Sequence, residues 1–266
     1  MAKKTQEERN REWWEKSLVR GDVMMRGMRG VMRRAPSSPR CALCCAPFAG
    51  IGGRVMRLGG FAPSRKNPRW CRRCFEEAPL GGVEIEIAVL FADVRGFTSM
   101  GERMPPDQLA ALMNRFYAAA TDVLSKADAV IDKLAGDQVM ALFVPGLARR
   151  GPALQCAEAA ELLLRSVGFA SDEEPWLPLG VGLDLGRAFV GNVGSGEVKD
   201  FTALGDVVNT ASRLQGQAKA GQIVLSERIY SQVAERFPGA RQVELELKGK
   251  EAPVAARVFD LQAVAA

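Results

Sequence analysis

Two aspartates, Asp93 and Asp137, are the residues of this chain whose type and placement point most directly to chemistry. Asp93 ends an apolar run over residues 85–94, just before a glycine turn, and Asp137 lies in a second glycine turn between two apolar runs. A carboxylate at the end of a buried strand is costly unless a charged group meets it. Because Mg²⁺ and Mn²⁺ take oxygen ligands, the pair predicts a two-metal site at the rim of one sheet. Aspartate beside glycine is also a common turn residue, so either one alone would carry little weight.

A predicted helix after Gly205 supplies a second group of polar side chains. Glycine followed by Asp206 is a typical helix start, at which we expect the aspartate to accept from free backbone N–H groups. Asn209 and Arg213 are an i, i+4 pair away from the apolar stripe of this helix, so they either reach one ligand together or lie in solvent. Lys248 lies at a predicted hairpin tip, where a lysine is normally just exposed.

These segments resemble the class III nucleotide cyclases over roughly residues 83–261, by the placement of motifs. The resemblance is carried by five stretches in the order of the family: residues 89–99, 132–143, 191–195, 200–213 and 247–250. Each stretch is weak alone, but their common order and spacing are very specific. Apolar strands, including separate ones over residues 179–185 and 188–190, alternate with helices that begin at Pro105-Pro106 and at Pro152. This order predicts an α/β sheet with helices packed against it, and the resemblance implies a ferredoxin-like topology.

At the metal end, the resemblance implies that Asp93 and Asp137 hold two Mg²⁺ or Mn²⁺ ions in each active site. The backbone around Phe97 and Thr98 would cradle the terminal phosphates. In a cyclisation the ribose 3′-oxygen attacks the α-phosphorus and pyrophosphate leaves, and two metal ions can supply most of the catalysis. This suits a chain with no histidine, in which a His-dependent triad or an HExxH zinc site is impossible.

The remaining matched positions would bind the nucleotide. Asn209 and Arg213 match the catalytic pair that orients the ribose and stabilises the charge on the α-phosphate, and Lys248 matches a lysine that binds the phosphate tail. Lys133 matches the lysine that reads the purine ring, and Thr202 falls at its partner position.

A lysine donor suits the unprotonated N1 of adenine and clashes with the N1–H of guanine. Guanylate cyclases of the family typically carry an acidic residue and a cysteine where this chain has Lys133 and Thr202. The predicted substrate is therefore ATP, and the predicted enzyme is an adenylate cyclase that makes 3′,5′-cyclic AMP and pyrophosphate in cyclic-nucleotide signalling. Thr202 departs from the aspartate of many adenylate cyclases and resembles a bacterial subgroup with threonine there.

The spacing of two site residues also predicts an oligomer. Lys133 lies only four residues before Asp137, so within one site the lysine would compete with metal for the carboxylate. The family resolves this conflict by packing two domains head to tail, so that each site borrows from both. Because one chain carries every matched role, we expect a homodimer with two equivalent sites. One protomer would supply the metal aspartates and its partner the remaining residues.

Cysteines in the first eighty residues form a separate signal. Two CxxC pairs, Cys41 with Cys44 and Cys71 with Cys74, predict one structural Zn²⁺ held by four thiolates. An iron–sulfur cluster, disulfides and free thiols are the alternatives. A cysteine-only set without a recognisable signal peptide favours a reducing cytosol. Cys45 is left over, as a substitute ligand or a spare thiol.

Charge divides the chain into parts. Residues 1–79 contain 18 Lys and Arg against 7 Asp and Glu, whereas the rest contains 18 against 24. We therefore divide the chain into a basic helical extension (1–40), a zinc-ribbon-like module (41–79) and a catalytic domain (80–266). The asymmetry suggests that the basic part has a partner of its own.

The first thirty-four residues leave that partner open. Methionines and arginines alternate there, which fits a membrane-surface helix, a dimer contact, a basic arm for nucleic acid or a solvated extension. An upstream regulator or a membrane surface is the favoured partner. Apolar runs do not approach transmembrane length, so we expect the chain in the cytoplasm or at the inner membrane surface.

One function from a different class competes with the enzyme. The basic segment and the Cys pairs would also suit a nucleic-acid-binding zinc protein whose cyclase-like domain is only a nucleotide sensor. Zinc thiolates would offset part of the positive charge, and the metal and Asn/Arg positions that degenerate domains usually lose are all present. The sequence therefore favours the enzyme.

Overall fold

A single mixed sheet organises the fold of the protein, whose structure, a computed structural model, describes residues 4–21, 23–34, 39–64, 70–195 and 198–261. Seven of its eight strands follow the order β2-β3-β1-β4-β6-β8-β7, and β5 pairs with β4 beside this path. The strands are β1 (Gly81–Val94), β2 (Val130–Ala135), β3 (Gln138–Phe143), β4 (Leu179–Ser195), β5 (Val198–Leu204), β6 (Gln222–Ser226), β7 (Arg241–Leu245) and β8 (Val254–Asp260).

The long antiparallel pair of β1 and β4 forms the centre of the sheet. Their register runs from Gly81 opposite Asn192 to Val94 opposite Leu179. Residues 87–90 of β1 are fully buried, as expected for an apolar strand covered on both faces. Gly191 permits the close approach of the two strands, because a Cβ there would lie 2.3 Å from the Gly81 carbonyl oxygen.

Four helices in the catalytic part pack against the sheet. Proline begins two of them, as the sequence predicted, because its fixed φ suits the first turn. Apolar side chains at three- and four-residue spacing give each helix a buried stripe. The helices are α6 (Pro106–Lys126), α7 (Pro152–Ser166), α8 (Asp206–Gln217) and α9 (Glu227–Val233), and a short α5 (Phe97–Arg103) follows β1. The predicted α/β fold is thereby confirmed.

Two predicted strands differ from the observed ones. The sequence predicted separate strands over residues 179–185 and 188–190, whereas β4 continues through Gly186 because β1 pairs with it without a break over residues 179–192. The strand β5 was not predicted, and it forms by pairing with the second half of β4.

The basic N-terminal part folds as short helices against the same core. They are α1 (Gln6–Trp14), a π-helical turn (Glu15–Arg20), α2 (Val23–Met32), α3 (Gly50–Leu58) and α4 (Arg72–Phe75). Thr5 and Glu8 form a capping box at the start of α1. Buried residues of this part belong to one continuous apolar core with those of the sheet. The boundaries at residues 40 and 79 therefore stay a prediction from composition.

Aromatic rings join the N-terminal part to β5. The Phe201 ring lies 5.8 Å from that of Trp14 and 4.6 Å from that of Trp70, centroid to centroid, and all three side chains are almost fully buried. Buried aromatic pairs of this kind add to the stabilisation that area burial provides. A membrane-spanning helix is not found in the described part of the chain.

Candidate active site

Strand pairing brings the two predicted metal ligands together. Asp93, at the end of β1, lies opposite Gln138, the residue that follows Asp137. The backbone N–H of Val94 donates to the Asp137 carbonyl oxygen at 3.2 Å. Gly136 has a φ of +60°, which lets the chain turn sharply just before Asp137. Both carboxylates therefore lie where the strands end, on one rim of the sheet, as the sequence predicted.

The electrostatics of Asp93 also show that the two carboxylates are neighbours. Burial raises the pKa of Asp93, Arg95 lowers it, and the charge of Asp137 raises it again. The guanidinium of Arg95 pairs with Asp93 Oδ1. Arg95 was not among the predicted site residues, although its place two residues after a strand-end carboxylate could have indicated that it pairs with Asp93. Two adjacent carboxylates, one of which already pairs with a cation, suit Mg²⁺ or Mn²⁺ in donor type and charge.

The start of α8 differs from its prediction. We expected Asp206 to cap the helix, but Gly205 is the N-cap residue and Asp206 makes no capping bond. Instead, Lys250 Nζ binds both carboxylate oxygens of Asp206, at 2.6 and 2.7 Å, and this lowers the pKa of Asp206. The Asp206 carboxylate therefore binds the ammonium group of Lys250 instead of the backbone N–H groups at the start of the helix. The contact fixes the hairpin between β7 and β8 against the start of α8.

The same hairpin lies against the predicted catalytic pair. Asn209 is exposed and Arg213 is half-buried on α8. The Arg213 guanidinium lies beside Gly249, where an added Cβ would be 3.2 Å from Nη2. Lys248, adjacent to Gly249, is exposed. The structure therefore brings Arg213 next to the Lys248 turn, and Asn209 lies one helical turn before Arg213.

Helix α8 presents Arg213 and Gln215 in different directions. The buried Gln215 accepts from Gln138 Nε2 at 3.4 Å, so this face of α8 contacts the strand that follows Asp137. Arg213 is two residues earlier, which corresponds to about 200° around an α-helix. Within one protomer, Arg213 therefore points away from the rim of the sheet that carries Asp93 and Asp137.

Thr202 reaches the strand that carries Lys133. The Thr202 hydroxyl donates to Asp132 Oδ2 at 3.2 Å, although β5 and β2 are not neighbours in the sheet. Lys133 is exposed, whereas Asp132 is only 1% exposed. Sequence analysis gave Asp132 no role, because its burial depends on β5, which comes from 70 residues further along the chain.

The predicted phosphate cradle lies where β1 meets α5. Gly96, with a φ of +71°, is the N-cap residue of α5, and Phe97 and Thr98 form its first two positions. Phe97 is partly buried against the core, and Thr98 is exposed. These two residues follow Asp93 directly after the turn, so they share its edge of the sheet.

The four cysteines predicted to bind zinc lie close together in the structure. The sulfur atoms of Cys41, Cys44, Cys71 and Cys74 all lie within 4.8 Å of one another, and all four residues are buried. A tetrahedral zinc site with Zn–S bonds of about 2.3 Å requires sulfur atoms about 3.8 Å apart. The separation of Cys44 Sγ and Cys71 Sγ is 3.7 Å. The cluster therefore fits one tetrahedral Zn²⁺.

Hydrogen bonds among the four clustered cysteines shift the pKa values of their thiols. Burial raises the pKa of the Cys41 thiol, but hydrogen bonds with Cys44, Cys71 and Cys74 outweigh it and hold that pKa well below its usual range. Hydrogen bonds with Cys41 in turn raise the pKa of the Cys44 and Cys74 thiols, so one sulfur of the cluster is favoured as the thiolate and its neighbours as thiols that donate to it. Cys45 is buried with a φ of +61° and lies outside the four-sulfur cluster. Burial raises the pKa of Cys45, so it behaves as a separate buried thiol.

Residues 84–258 match the family model of the adenylate and guanylate cyclase catalytic domain. An adenylate cyclase from Anabaena cylindrica is 30% identical over 208 residues, which cover 70% of this chain and 40% of that protein. The chain thus spans less than half the length of this curated relative.

Solved structures give the same fold with different substrates. The crystal structure of the guanylyl cyclase Cya2 has a TM-score of 0.59 at 28% identity and covers 68% of this chain and 94% of its own. That of the adenylyl cyclase CyaB from P. aeruginosa has a TM-score of 0.58 at 27% identity and covers 67% of this chain and 95% of its own. The chain therefore belongs to the class III adenylate and guanylate cyclase family, whose members bind nucleotides, use divalent metal ions and function as dimers.

Proposed function

We propose that this protein is an adenylate cyclase that converts ATP into 3′,5′-cyclic AMP and pyrophosphate in cyclic-nucleotide signalling. The observation that carries the proposal is the pair of carboxylates, Asp93 and Asp137, held together by the pairing of β1 and β3. A scaffold that served only to bind a nucleotide would not require two adjacent carboxylates beside the phosphate position. Their mutual repulsion is unfavourable without cations.

Asp93 and Asp137 would hold two Mg²⁺ or Mn²⁺ ions. When bound, these ions would lower the pKa of the ribose 3′-hydroxyl and stabilise charge on the phosphates. The backbone of Phe97 and Thr98, at the end of β1, would bind the terminal phosphates. Arg95 pairs with Asp93 in the structure, so its guanidinium would be displaced from this carboxylate as the ions bind.

The residues of α8 and the β7–β8 hairpin would act on the rest of the nucleotide. Asn209 would orient the ribose, so that its 3′-oxygen lies in line with the α-phosphorus and the leaving pyrophosphate. Arg213 would stabilise the charge that develops on the α-phosphate. Lys248 would bind the phosphate tail from the hairpin, and the contact of Arg213 with Gly249 supports their joint action.

Lys133 and Thr202 support ATP over GTP as the substrate. A lysine donor matches the unprotonated N1 of adenine and opposes the N1–H of guanine, and the Thr202 oxygen can accept from the adenine amino group. The contact of Thr202 with the residue before Lys133 supports their action on one base. Solved structures of similar fold include cyclases of both kinds, so these two side chains carry the assignment.

The active site would be shared between two protomers. Arg213 faces away from the metal edge of its own protomer, which supports a site completed by the Arg213 of a second copy. One protomer would supply Asp93 and Asp137, and its partner would supply the base-reading, ribose and phosphate-binding residues. A two-fold homodimer then has two equivalent sites.

The cysteine cluster would hold one structural Zn²⁺ per chain. Its position next to Trp70 gives the metal a role in packing the N-terminal part against β5. Four free thiolate ligands require a reducing compartment, which supports the cytoplasm or its membrane face as the location.

The N-terminal part would receive a regulator or contact a membrane surface. Its helix α3 exposes three apolar side chains on one side, Ile51, Val55 and Leu58. A nucleic-acid-binding role has less support, because Arg29 and Arg33 donate to backbone carbonyl groups and pair with Asp128. Arginines bound in this way are not available to phosphates of a nucleic acid.

Turnover of purified full-length protein tests the proposal. We expect cyclic AMP from ATP with Mn²⁺ or Mg²⁺, and a loss of at least about a hundredfold in the Asp93→Ala variant, since a metal carboxylate is removed. Asp122→Ala removes an exposed carboxylate of α6 and serves as the matched control, with activity retained. Folded wild-type dimer that turns over neither ATP nor GTP would contradict the enzyme and favour a sensor.

A further inference from the structure

Asp132 is a buried carboxylate at an irregular point of β2. The register of β2 against β3 shifts between Ile131 and Lys133, so Asp132 lies at a β-bulge. A residue of this kind is re-aimed relative to the regular alternation of a strand. Asp132 is 1% exposed, whereas its neighbour Lys133 is exposed. The chain thus places a carboxylate inside the protein directly beside the proposed base-reading lysine.

Asp132 accepts a hydrogen bond from the hydroxyl of Thr202. Thr202 Oγ1 donates to Asp132 Oδ2 at 3.2 Å. A hydroxyl has only one proton to donate, and an ionised carboxylate can only accept. When the Thr202 proton points to Asp132, the Thr202 oxygen presents only lone pairs to any other group. Without this contact the Thr202 hydroxyl could either donate to a ligand or accept from it. With the contact it can only accept.

An acceptor at this position distinguishes the two purines. The exocyclic group at C6 is an amino donor in adenine and a carbonyl acceptor in guanine. An oxygen fixed as acceptor would bind the adenine amino group and repel the guanine O6. A freely rotating threonine hydroxyl would bind either, because it could donate to O6 by a simple rotation.

We infer that Asp132 is a positioning residue that holds the Thr202 hydroxyl as an acceptor and thereby favours ATP over GTP. The inference rests on the proposed function and deepens it. Asp132 does not touch the nucleotide, and it acts through Thr202. The pair of a threonine and a buried carboxylate behind it supplies the acceptor that an aspartate at position 202 would supply directly.

The test measures kcat/KM for ATP and for GTP in four full-length proteins: the wild type, Asp132→Asn, Thr202→Val and the double variant. Asparagine is nearly isosteric with aspartate but can donate to Thr202, so it no longer fixes the direction of the hydroxyl. We expect the ATP:GTP ratio to fall about three- to tenfold in each single variant, as for one directed hydrogen bond. Because Asp132 acts through the hydroxyl, the double variant should have the same ratio as Thr202→Val alone.

A matched control separates this effect from a general loss of buried charge. Asp184 is also fully buried, on β4, and accepts from Ser226 at 2.5 Å. Asp184→Asn should leave the ATP:GTP ratio unchanged whatever its effect on stability. Should Asp132→Asn fail to fold, Asp132→Ser offers a second variant that removes the carboxylate, with the same expected fall in the ratio.

An unchanged ATP:GTP ratio in folded Asp132→Asn would overturn the inference alone. So would a double variant whose ratio is lower than that of Thr202→Val by the same factor by which Asp132→Asn lowers the wild-type ratio. A fall of the same size in Asp184→Asn would overturn it as well. Wild-type protein that forms neither cyclic AMP nor cyclic GMP would instead overturn the proposed function, and this inference with it.

Discussion

At the scale of the residue, purine choice depends on the donors and acceptors that the site presents. Lys133 is exposed and Thr202 is half-buried, and Thr202 contacts the residue next to Lys133. Neither side chain is required for the fold in the way that the fully buried Phe201 is. Their identity can therefore be changed to test the substrate without dismantling the sheet.

Replacing Lys133 and Thr202 by the residue types that guanylate cyclases carry at these positions should shift the substrate preference from ATP towards GTP. In the Lys133→Glu, Thr202→Cys double variant we expect kcat/KM for ATP to fall roughly 10- to 100-fold, the range for a lost hydrogen bond to a charged group. Turnover of GTP should rise, because glutamate can accept from the guanine N1–H. Cyclic AMP and cyclic GMP formed from the two substrates are measured side by side.

An exposed lysine elsewhere gives the control for this double variant. Lys126 lies on α6 in an exposed pair with Asp122, so Lys126→Glu changes the charge by the same amount outside the site. Its ATP:GTP ratio should equal that of the wild type. Unchanged preference for ATP in the folded double variant would contradict the base-reading roles.

At the scale of the element, β5 links the proposed metal centre to the proposed base site. Phe201 contacts Trp70, the residue before the ligand Cys71, and Thr202 is the next residue of the strand. Lys199 on the same strand donates to the Ala78 carbonyl oxygen at 2.8 Å, just after α4. The geometry of β5 therefore depends on how the cysteine module is folded.

Removal of zinc should loosen β5. In Cys71→Ser we expect bound zinc to fall from about one per chain to near zero, because the four-thiolate set is incomplete. The Tm should fall by several degrees, and the tryptophan fluorescence should change as Trp70 loses its packing. Zinc content, thermal unfolding and fluorescence are measured on the same samples.

Cys45→Ser is the matched control for this variant, because Cys45 is equally buried but lies outside the four-sulfur cluster. Zinc content near one per chain should persist in it. Equal loss of zinc from both variants would show that Cys45 is a ligand, and zinc-free wild-type protein of unchanged Tm would contradict a structural metal.

Local patterns predicted the elements that rest on apolar periodicity or on proline and glycine. They could not predict β5, since Lys199, Asp200 and Thr202 interrupt its apolar residues and only pairing with β4 makes it a strand. The break proposed within β4 was wrong for the same reason, because a long partner strand carries the chain through Gly186. The motifs indicated where the candidate site residues lie, and Arg95 could also have been found from its place two residues after Asp93. Asp132 required the tertiary contact with Thr202, which is 70 residues away in the sequence.

At the scale of the whole molecule, the proposed active site requires two copies of the chain. The rim of the sheet that carries Asp93 and Asp137 and the face of α8 that carries Arg213 point in different directions in one protomer. The N-terminal part shares its core with the catalytic part, so the cysteine module lies on the catalytic unit itself. A signal received there would act directly on the active sites that we propose to be shared between two protomers.

Mixing two inactive variants tests this central claim most directly. Asp93→Ala and Arg213→Ala proteins are each expected to lack activity, and an equal mixture allowed to exchange protomers should regain about a quarter of wild-type cyclic AMP formation. Half of the dimers would be mixed, and each would have one intact site of two. A mixture of Asp93→Ala with Asp137→Ala is the control. It should stay inactive, because each protomer of a mixed dimer then has only one of the two metal-binding aspartates. Recovery in the first mixture alone is the predicted result; no recovery between folded, exchanging dimers would contradict an active site shared between protomers.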